Sequence, residues 1–145
     1  MDKDNMAESR VAKYQRFEDA VKKGWGEWQK LDTLEPEDIT EYCGVYEIAT
    51  TRPFNRLKGT TTTLYIGKSL EAEDGLRARL GNFNKRPSFR RTLKKRIYPI
   101  RDELSECLWI RFRVIDPDEV NKTEKKLLEE FEQAHLELPP CNRSG

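Results

Sequence analysis

Hydrophobic and polar side chains alternate along three stretches of the chain, at the spacing of β-strands with one buried face. These stretches are residues 43–50, 63–68 and 108–115. Between the first two, residues 51–62 contain the proline, glycine and threonines of a long hairpin loop, so we expect those two strands to pair antiparallel. The alternation puts Tyr46 and Ile48 on one face of the first strand and Val45, Glu47 and Ala49 on the other, and in the third strand it separates Leu108, Ile110, Phe112 and Val114 from Trp109, Arg111 and Arg113.

Apolar residues recur at helical spacing in four other stretches. Residues 10–31 predict an amphipathic helix that is interrupted near Gly24. Residues 76–80 begin a second helix, and residues 88–97 predict a basic one that Pro99 ends. A last helix is expected from Asp116-Pro117-Asp118 to about Leu136.

The order of these elements is helix, two strands, helices, strand and helix. It predicts an α+β fold with a small central antiparallel three-stranded sheet flanked by helices. Residues 1–40 are expected to form an N-terminal helical extension packed on a single domain of residues 41–145, which is an ordinary size for one domain.

Hydropathy and cysteine usage narrow the class of protein. The longest strictly apolar run, Cys107–Ile110, is too short to cross a bilayer, and the first residues lack the apolar core of a secretory signal. The three cysteines (Cys43, Cys107 and Cys141) form no CxxC pair, and His135 is the only histidine. We therefore expect a cytoplasmic protein with reduced thiols, no membrane partner and no zinc site, and a packing or capping role for His135.

The net charge of +1 conceals an uneven distribution. Between Leu76 and Arg101 there are ten basic residues and no acidic one, whereas the other 119 residues hold 17 basic and 26 acidic residues, a net −9. A basic segment in an otherwise acidic chain suggests a polyanionic partner, because each phosphate that basic side chains neutralise releases condensed counterions and so favours binding. The candidate phosphate contacts are Arg90, Arg91, Lys94 and Lys95.

Two tripeptides are the main indication of function. They are Gly44-Val45-Tyr46 on the first predicted strand and Tyr65-Ile66-Gly67 on the second. Each strand of the predicted hairpin therefore places a tyrosine two residues from a glycine. Glycine weakens a strand and is often found where a ligand or another backbone approaches closely.

This pattern resembles the GIY-YIG nuclease family, which includes nuclease domains of excision-repair, homing and restriction enzymes. The family order is a GIY strand, a YIG strand, a helix with an arginine, a third strand, a helix with a glutamate, and a late asparagine. The same order appears here over about residues 41–143, continuing after the two tripeptides with Leu76-Arg77-Ala78-Arg79-Leu80, the strand at 108–115, Glu124 and Asn142.

The resemblance implies a metal-dependent endonuclease that hydrolyses phosphodiester bonds in DNA, with RNA also open as a substrate. It implies that Glu124 anchors one divalent cation, Mg²⁺ or Mn²⁺, since magnesium commonly takes only one or two protein carboxylates. Glu124 has apolar residues three, four and seven places on, as the family's ligand tends to have. Glu130 fits the distance to Asn142 in shorter family members better, and Glu129 is a third candidate.

The other polar positions receive roles from the same resemblance. Arg79 would clamp the scissile phosphate with its planar donor fork. Tyr46 is the better candidate to orient or deprotonate the attacking water, with Tyr65 beside it. Lys68 and the cation would lower the pKa of a tyrosine, which is a poor base near pKa 10. Asn142 would hydrogen-bond within the site and hold the last loop.

Two positions separate this chain from the simplest family pattern. Arg77 competes with Arg79, although the family's Leu-x-x-Arg-Leu spacing favours Arg79 between Leu76 and Leu80. Many members have a histidine or tyrosine one helical turn after the arginine, where this chain has Phe83. Phenylalanine transfers no proton, so any such role is lost or moved.

Two other classes of function are compatible with these residues. The first is a nucleic-acid-binding module of the same fold without cleavage activity, which would use the basic segment but not Glu124, Arg79 or the tyrosines. The second is an interaction domain that uses the helix around Trp25 and Trp28. No separate specificity module is visible in the sequence, so a protein partner is one possible source of substrate choice.

Overall fold

Four antiparallel strands form one sheet in the computed structural model. The structure describes residues 15–31, 33–70, 75–80 and 108–142. At Pro36 and at residues 78–80 it describes the backbone but not the side chains. The strands are β1 (Gln29–Lys30), β2 (Gly44–Asn55), β3 (Thr60–Ser69) and β4 (Leu108–Val114), in the order β1-β4-β2-β3. The described helices are α1 (residues 15–23), α2 (Gly75–Leu80) and α3 (Val120–His135). The α+β class is confirmed. The prediction of a three-stranded sheet is wrong, because the short strand β1 adds a fourth strand.

The segment before β2 contributes to the sheet instead of forming one long helix. Helix α1 ends at residue 23, and Gly24 has a φ of +74°, a left-handed conformation that glycine adopts without strain. The chain then follows β4, where Gly26 N–H donates to the Phe112 carbonyl at 2.8 Å and Leu31 N–H donates to the Leu108 carbonyl at 3.0 Å. The interruption predicted near Gly24 is therefore confirmed, whereas the helical conformation predicted for residues 25–31 is wrong, because pairing with the edge of β4 satisfies this backbone. Residues 10–14 lie outside the described part.

The loop predicted at residues 51–62 is also largely strand. Strand β2 continues to Asn55 and β3 begins at Thr60, so the turn is confined to residues 56–59. The pairing is irregular between Ala49 and Phe54, where five steps along β2 correspond to two along β3. Pro53 lies within this irregular stretch, which is one of the few places where a strand accepts proline.

The β2–β3 turn is attached to the C-terminal end of α3. The Arg56 guanidinium pairs with Glu137 at 2.5 Å and donates to the Leu138 carbonyl at 2.6 Å. The His135 ring lies 2.8 Å from the Lys58 carbonyl oxygen and its centroid is 4.4 Å from that of Phe131. The packing role expected for His135 is confirmed.

The sheet has an apolar cluster on each face. On one face Tyr46, Ile48 and Phe112 pack with Leu76 of α2, and the segment before β2 adds Leu31, Leu34 and Ile39. On the other face Val45 packs with Ile115 and Val120, and Leu127 of α3 covers them. Each fully buried aliphatic side chain stabilises the fold by about 1.5–3 kcal/mol, so these clusters fix α2 and α3 on opposite faces.

The basic helix expected at residues 88–97, with Arg90, Arg91, Lys94 and Lys95, lies outside the described residues, as does Cys107. Within the described ranges, no helix combines the length and apolarity that crossing a membrane requires. Cys43 and Cys141 are free thiols, and burial raises the pKa of the Cys141 thiol to about 12 against the opposing charge of Arg56.

Candidate active site

The two motif tyrosines lie together on the α2 face of the sheet. Tyr46 on β2 pairs with Gly67 on β3, and the neighbouring pair is Ile48 with Tyr65. The Tyr46 and Tyr65 ring centroids are 5.8 Å apart with an interplanar angle of 41°. Tyr46 is 1% exposed, whereas Tyr65 is only partly buried. Tyr65 is therefore the more accessible of the two.

Both motif glycines stand where another group approaches too closely for a side chain. A Cβ on Gly44 would overlap the Arg113 carbonyl of the neighbouring strand. A Cβ on Gly67 would overlap the end of the Tyr46 ring and lie 2.7 Å from the Tyr65 ring. The close approach expected at these strand glycines is confirmed. At Gly67 it leaves room for the end of the Tyr46 ring and its hydroxyl to lie against β3.

Gly67→Ala is expected to destabilise the protein by about 1–3 kcal/mol, because the methyl group would overpack against a buried tyrosine ring. For a chain of this length the melting temperature should fall by roughly 3–10 °C. Gly26→Ala is a matched control, since a Cβ there would meet only the Phe112 carbonyl oxygen, at an ordinary 3.4 Å. Thermal denaturation of both variants checks this. Equal melting temperatures would mean that the tyrosine rings do not need the space at Gly67.

Lys68 and Glu124, two residues that the sequence placed in the site, are in contact. The Lys68 ammonium lies 3.4 Å from Glu124 Oε1 and donates to Asn121 Oδ1 at 2.6 Å. Asn121 and Glu124 are three residues apart on α3, so both side chains reach the ammonium from one face of the helix. The side chains of Lys68 and Glu124 are 38% and 20% exposed, which leaves the cluster open to solvent.

Asn142 binds the outer edge of β3. Its Nδ2 donates to the Ile66 carbonyl at 2.8 Å, and its Oδ1 accepts from Ile66 N–H at 3.0 Å. Next to it, Cys141 N–H donates to the Leu64 carbonyl at 2.9 Å. These bonds satisfy an edge strand whose outward backbone groups would otherwise be exposed. They hold the last loop in place up to Ile66, two residues before Lys68.

The tyrosines and the Lys68 cluster lie on opposite faces of β3. Lys68 pairs with Val45, whose side chain packs under α3, and Tyr46 pairs with the adjacent Gly67. Successive side chains in a strand alternate between the faces. However, β3 is the edge strand and Gly67 has no side chain, so only one strand separates the Tyr46 hydroxyl from the Lys68 end of the cluster.

The competing candidates occupy different surroundings. Arg77 donates through Nε to the Ile39 carbonyl at 3.0 Å, which engages it with the backbone before β2. Arg79 lies on α2, and its side chain lies outside the described part, as does Phe83. On α3, Glu130 is exposed, and Glu129 is exposed and lies 4.0 Å from Lys125. Among these glutamates, Glu124 is the one beside β3.

The α3 face also contains an interaction network that the sequence did not predict. Glu47 Oε1 accepts from Arg111 Nε at 2.8 Å, and Glu47 Oε2 accepts from the Thr63 hydroxyl at 2.9 Å. The Arg111 guanidinium carbon lies 4.3 Å from the Trp25 ring centroid and 4.6 Å from that of Trp28. The available signal was an acidic and a basic residue on strand positions that share a face, but only the register shows that Glu47 and Arg111 are opposite each other.

Comparison of this chain with family models, curated proteins and solved structures returned no match. The geometry of the described residues is therefore the basis for a functional proposal. Within those residues, no group of three or more His, Cys, Asp or Glu side chains could together hold a metal ion.

Proposed function

We propose that this protein is a metal-dependent endonuclease that hydrolyses phosphodiester bonds in DNA. The observation that carries the proposal is the cluster of Lys68, Asn121 and Glu124 at the end of β3, one residue from the glycine that the Tyr46 hydroxyl lies against. Tyr46 is part of the apolar core, but core packing does not require its hydroxyl, nor a carboxylate, a lysine and a second tyrosine around the same edge strand. They are the groups that phosphodiester hydrolysis requires.

The oxygen atoms of the cluster, which contact the Lys68 ammonium in this structure, are of the types that bind a magnesium ion that keeps most of its water. Glu124 supplies a half-buried carboxylate, and Asn121 supplies an amide oxygen from the preceding turn of the same helix. Magnesium is commonly held by one or two carboxylates and retains several waters, so a larger acidic group is not needed. When bound, the ion supplies positive charge for the phosphorane-like state and the leaving oxygen.

The protein groups divide the remaining tasks. Because Tyr46 is 1% exposed, we assign contact with the attacking water to Tyr65, with Tyr46 packed behind it. As the water oxygen attacks phosphorus and the bond from phosphorus to the departing nucleotide oxygen breaks, the Tyr65 hydroxyl orients the water by a hydrogen bond. Arg79 binds the phosphate oxygens, and Asn142 positions the strand that carries Tyr65.

One contact favours the second candidate, a nucleic-acid-binding module without cleavage activity. The Lys68 ammonium already neutralises Glu124 through Oε1 at 3.4 Å. In an enzyme the lysine must share this carboxylate with the metal ion, whereas in a binding module the ion pair is only a structural contact.

Incubation with plasmid, linear and branched DNA separates the two candidates. The protein is expected to cut at least one of these forms with Mg²⁺ or Mn²⁺ and to stop when EDTA is added. Binding to DNA without cleavage in either metal would support the binding module. Cleavage that continues in EDTA would contradict the metal-dependent mechanism.

The basic segment provides an independent prediction about binding. Replacing Arg90, Arg91, Lys94 and Lys95 together with alanine is expected to weaken DNA binding equally on every sequence. It should also flatten the slope of log K against log salt by about 0.9 for each phosphate of the duplex that the protein no longer neutralises. Titrations at several salt concentrations measure this slope, and an unchanged slope would mean that the segment is only a solvated surface.

A further inference from the structure

A pocket of about 320 Å³ lies on the α3 face of the sheet, away from the Lys68 cluster. It lies beside the stretch after Ala49 where the pairing of β2 with β3 is irregular. Its walls consist of two tryptophans and four small residues, namely Trp28, Trp109, Ala49, Thr50, Thr51 and Thr62.

Trp28 in this pocket is exposed but fixed in orientation. It is 40% exposed, so part of its ring is open to solvent. Arg111 lies 4.6 Å from the Trp28 ring centroid, and its guanidinium is bound to Glu47 at 2.8 Å. A ring whose position is fixed in advance binds a flat partner with little loss of side-chain entropy.

Positive charge borders the same pocket. Lys30 Nζ lies 5.9 Å from the Trp109 ring centroid, and the exposed Arg52 directly follows Thr51 in the chain. The threonine side chains offer hydroxyl groups that can both donate and accept hydrogen bonds. Aromatic rings, hydroxyl groups and nearby cations together match a flat heterocycle that is attached to a phosphate backbone.

We propose that this pocket binds one unpaired nucleobase of the nucleic-acid substrate, stacked on Trp28. This inference deepens the proposed function and rests on a nucleic-acid substrate. The volume is at the lower end of the roughly 300–1,000 Å³ of small-ligand pockets, which suits a base better than a folded segment of a protein partner. Ala49 and Val45 share one face of β2 and are four residues apart, so the pocket lies about 13 Å along the sheet from the Lys68 cluster. A strand held there would be cut a short distance from an unpaired base.

The test is binding of a fluorescein-labelled single-stranded oligonucleotide in EDTA, where metal-dependent cleavage does not occur. Stacking is worth about 1–3 kcal/mol per base, so Trp28→Ala should weaken binding by about 5- to 150-fold. Trp28→Phe keeps a ring and should retain most of the affinity. Leu57→Ala is the matched control, because Leu57 is 74% exposed on the β2–β3 turn and its truncation should change nothing.

A second measurement uses the unaltered protein, so that it does not depend on the folding of a variant. An oligonucleotide with abasic sites should bind more weakly than the intact one, and it should bind equally to the unaltered protein and to Trp28→Ala. Equal binding of intact and abasic strands, unchanged affinity of Trp28→Ala, or no binding of single strands would each overturn the inference. Trp28-dependent binding in EDTA without cleavage in Mg²⁺ would support it and reject the proposed endonuclease.

Discussion

Glu124→Gln is expected to abolish DNA cleavage and to leave DNA affinity unchanged. Glutamine keeps the shape of the side chain but removes the charge that the proposed metal ion needs. We expect single-turnover cleavage to fall by at least about a thousandfold, which is about 4 kcal/mol of barrier. Stability should change by about 1 kcal/mol or less, because the Lys68–Glu124 pair is partly exposed and such pairs contribute little.

The matched control is Glu130→Gln, which removes the same charge from an exposed position on α3. This variant should cleave at the rate of the unaltered protein. The opposite result, an active Glu124→Gln and an inactive Glu130→Gln, would move the metal ligand along the helix by six residues. If both variants were fully active, neither glutamate would be the ligand, and the proposed site would be wrong.

Tyr65→Phe is expected to lower single-turnover cleavage by at least about a hundredfold, or ~2.7 kcal/mol of barrier. The ring and its contact with Tyr46 are retained, so the change removes only the hydroxyl that we assign to the attacking water. DNA affinity and melting temperature should be nearly unchanged because Tyr65 is only partly buried. Rapid-mixing cleavage assays beside binding titrations measure these quantities.

Tyr46→Phe is the informative comparison. Tyr46 is 1% exposed, so removal of its hydroxyl should destabilise the fold by about 1 kcal/mol, the typical net value of a buried hydrogen bond. Its effect on the rate should be the smaller of the two. A larger decrease in rate for Tyr46→Phe than for Tyr65→Phe would exchange the two roles, and normal rates in both would remove the tyrosines from the mechanism.

The sequence by itself determined the elements whose periodicity is strong. Strand β4 and helix α3 lie close to where the alternation and the helical spacing predicted them, because one face of each is buried and selects a single pattern. The motif glycines were also informative, since a glycine in a strand is often found where another group approaches closely. At Gly44 and Gly67 that approach is made by the Arg113 carbonyl and the Tyr46 ring.

The tertiary structure decided the elements with weak local signals. Strand β1 has two residues, and its pairing with β4 is a contact between segments about 80 residues apart in the chain. Helical spacing around Trp25 and Trp28 is equally compatible with a helix and with side chains that enclose Arg111. Local periodicity cannot report a partner so distant in sequence, so this segment was predicted incorrectly.

For the candidate site too, the sequence supplied the residues and the tertiary structure supplied their contacts. The sequence named Lys68, Glu124, Asn142 and both tyrosines, because the order of these residue types along the chain resembles a known order of motifs. Only the register shows that the tyrosines and Lys68 occupy opposite faces of an edge strand, and only the packing of α3 brings Asn121 to Lys68. Spacing along a chain specifies which residues are available, but strand pairing and helix packing fix which side chains meet, because those contacts are long-range.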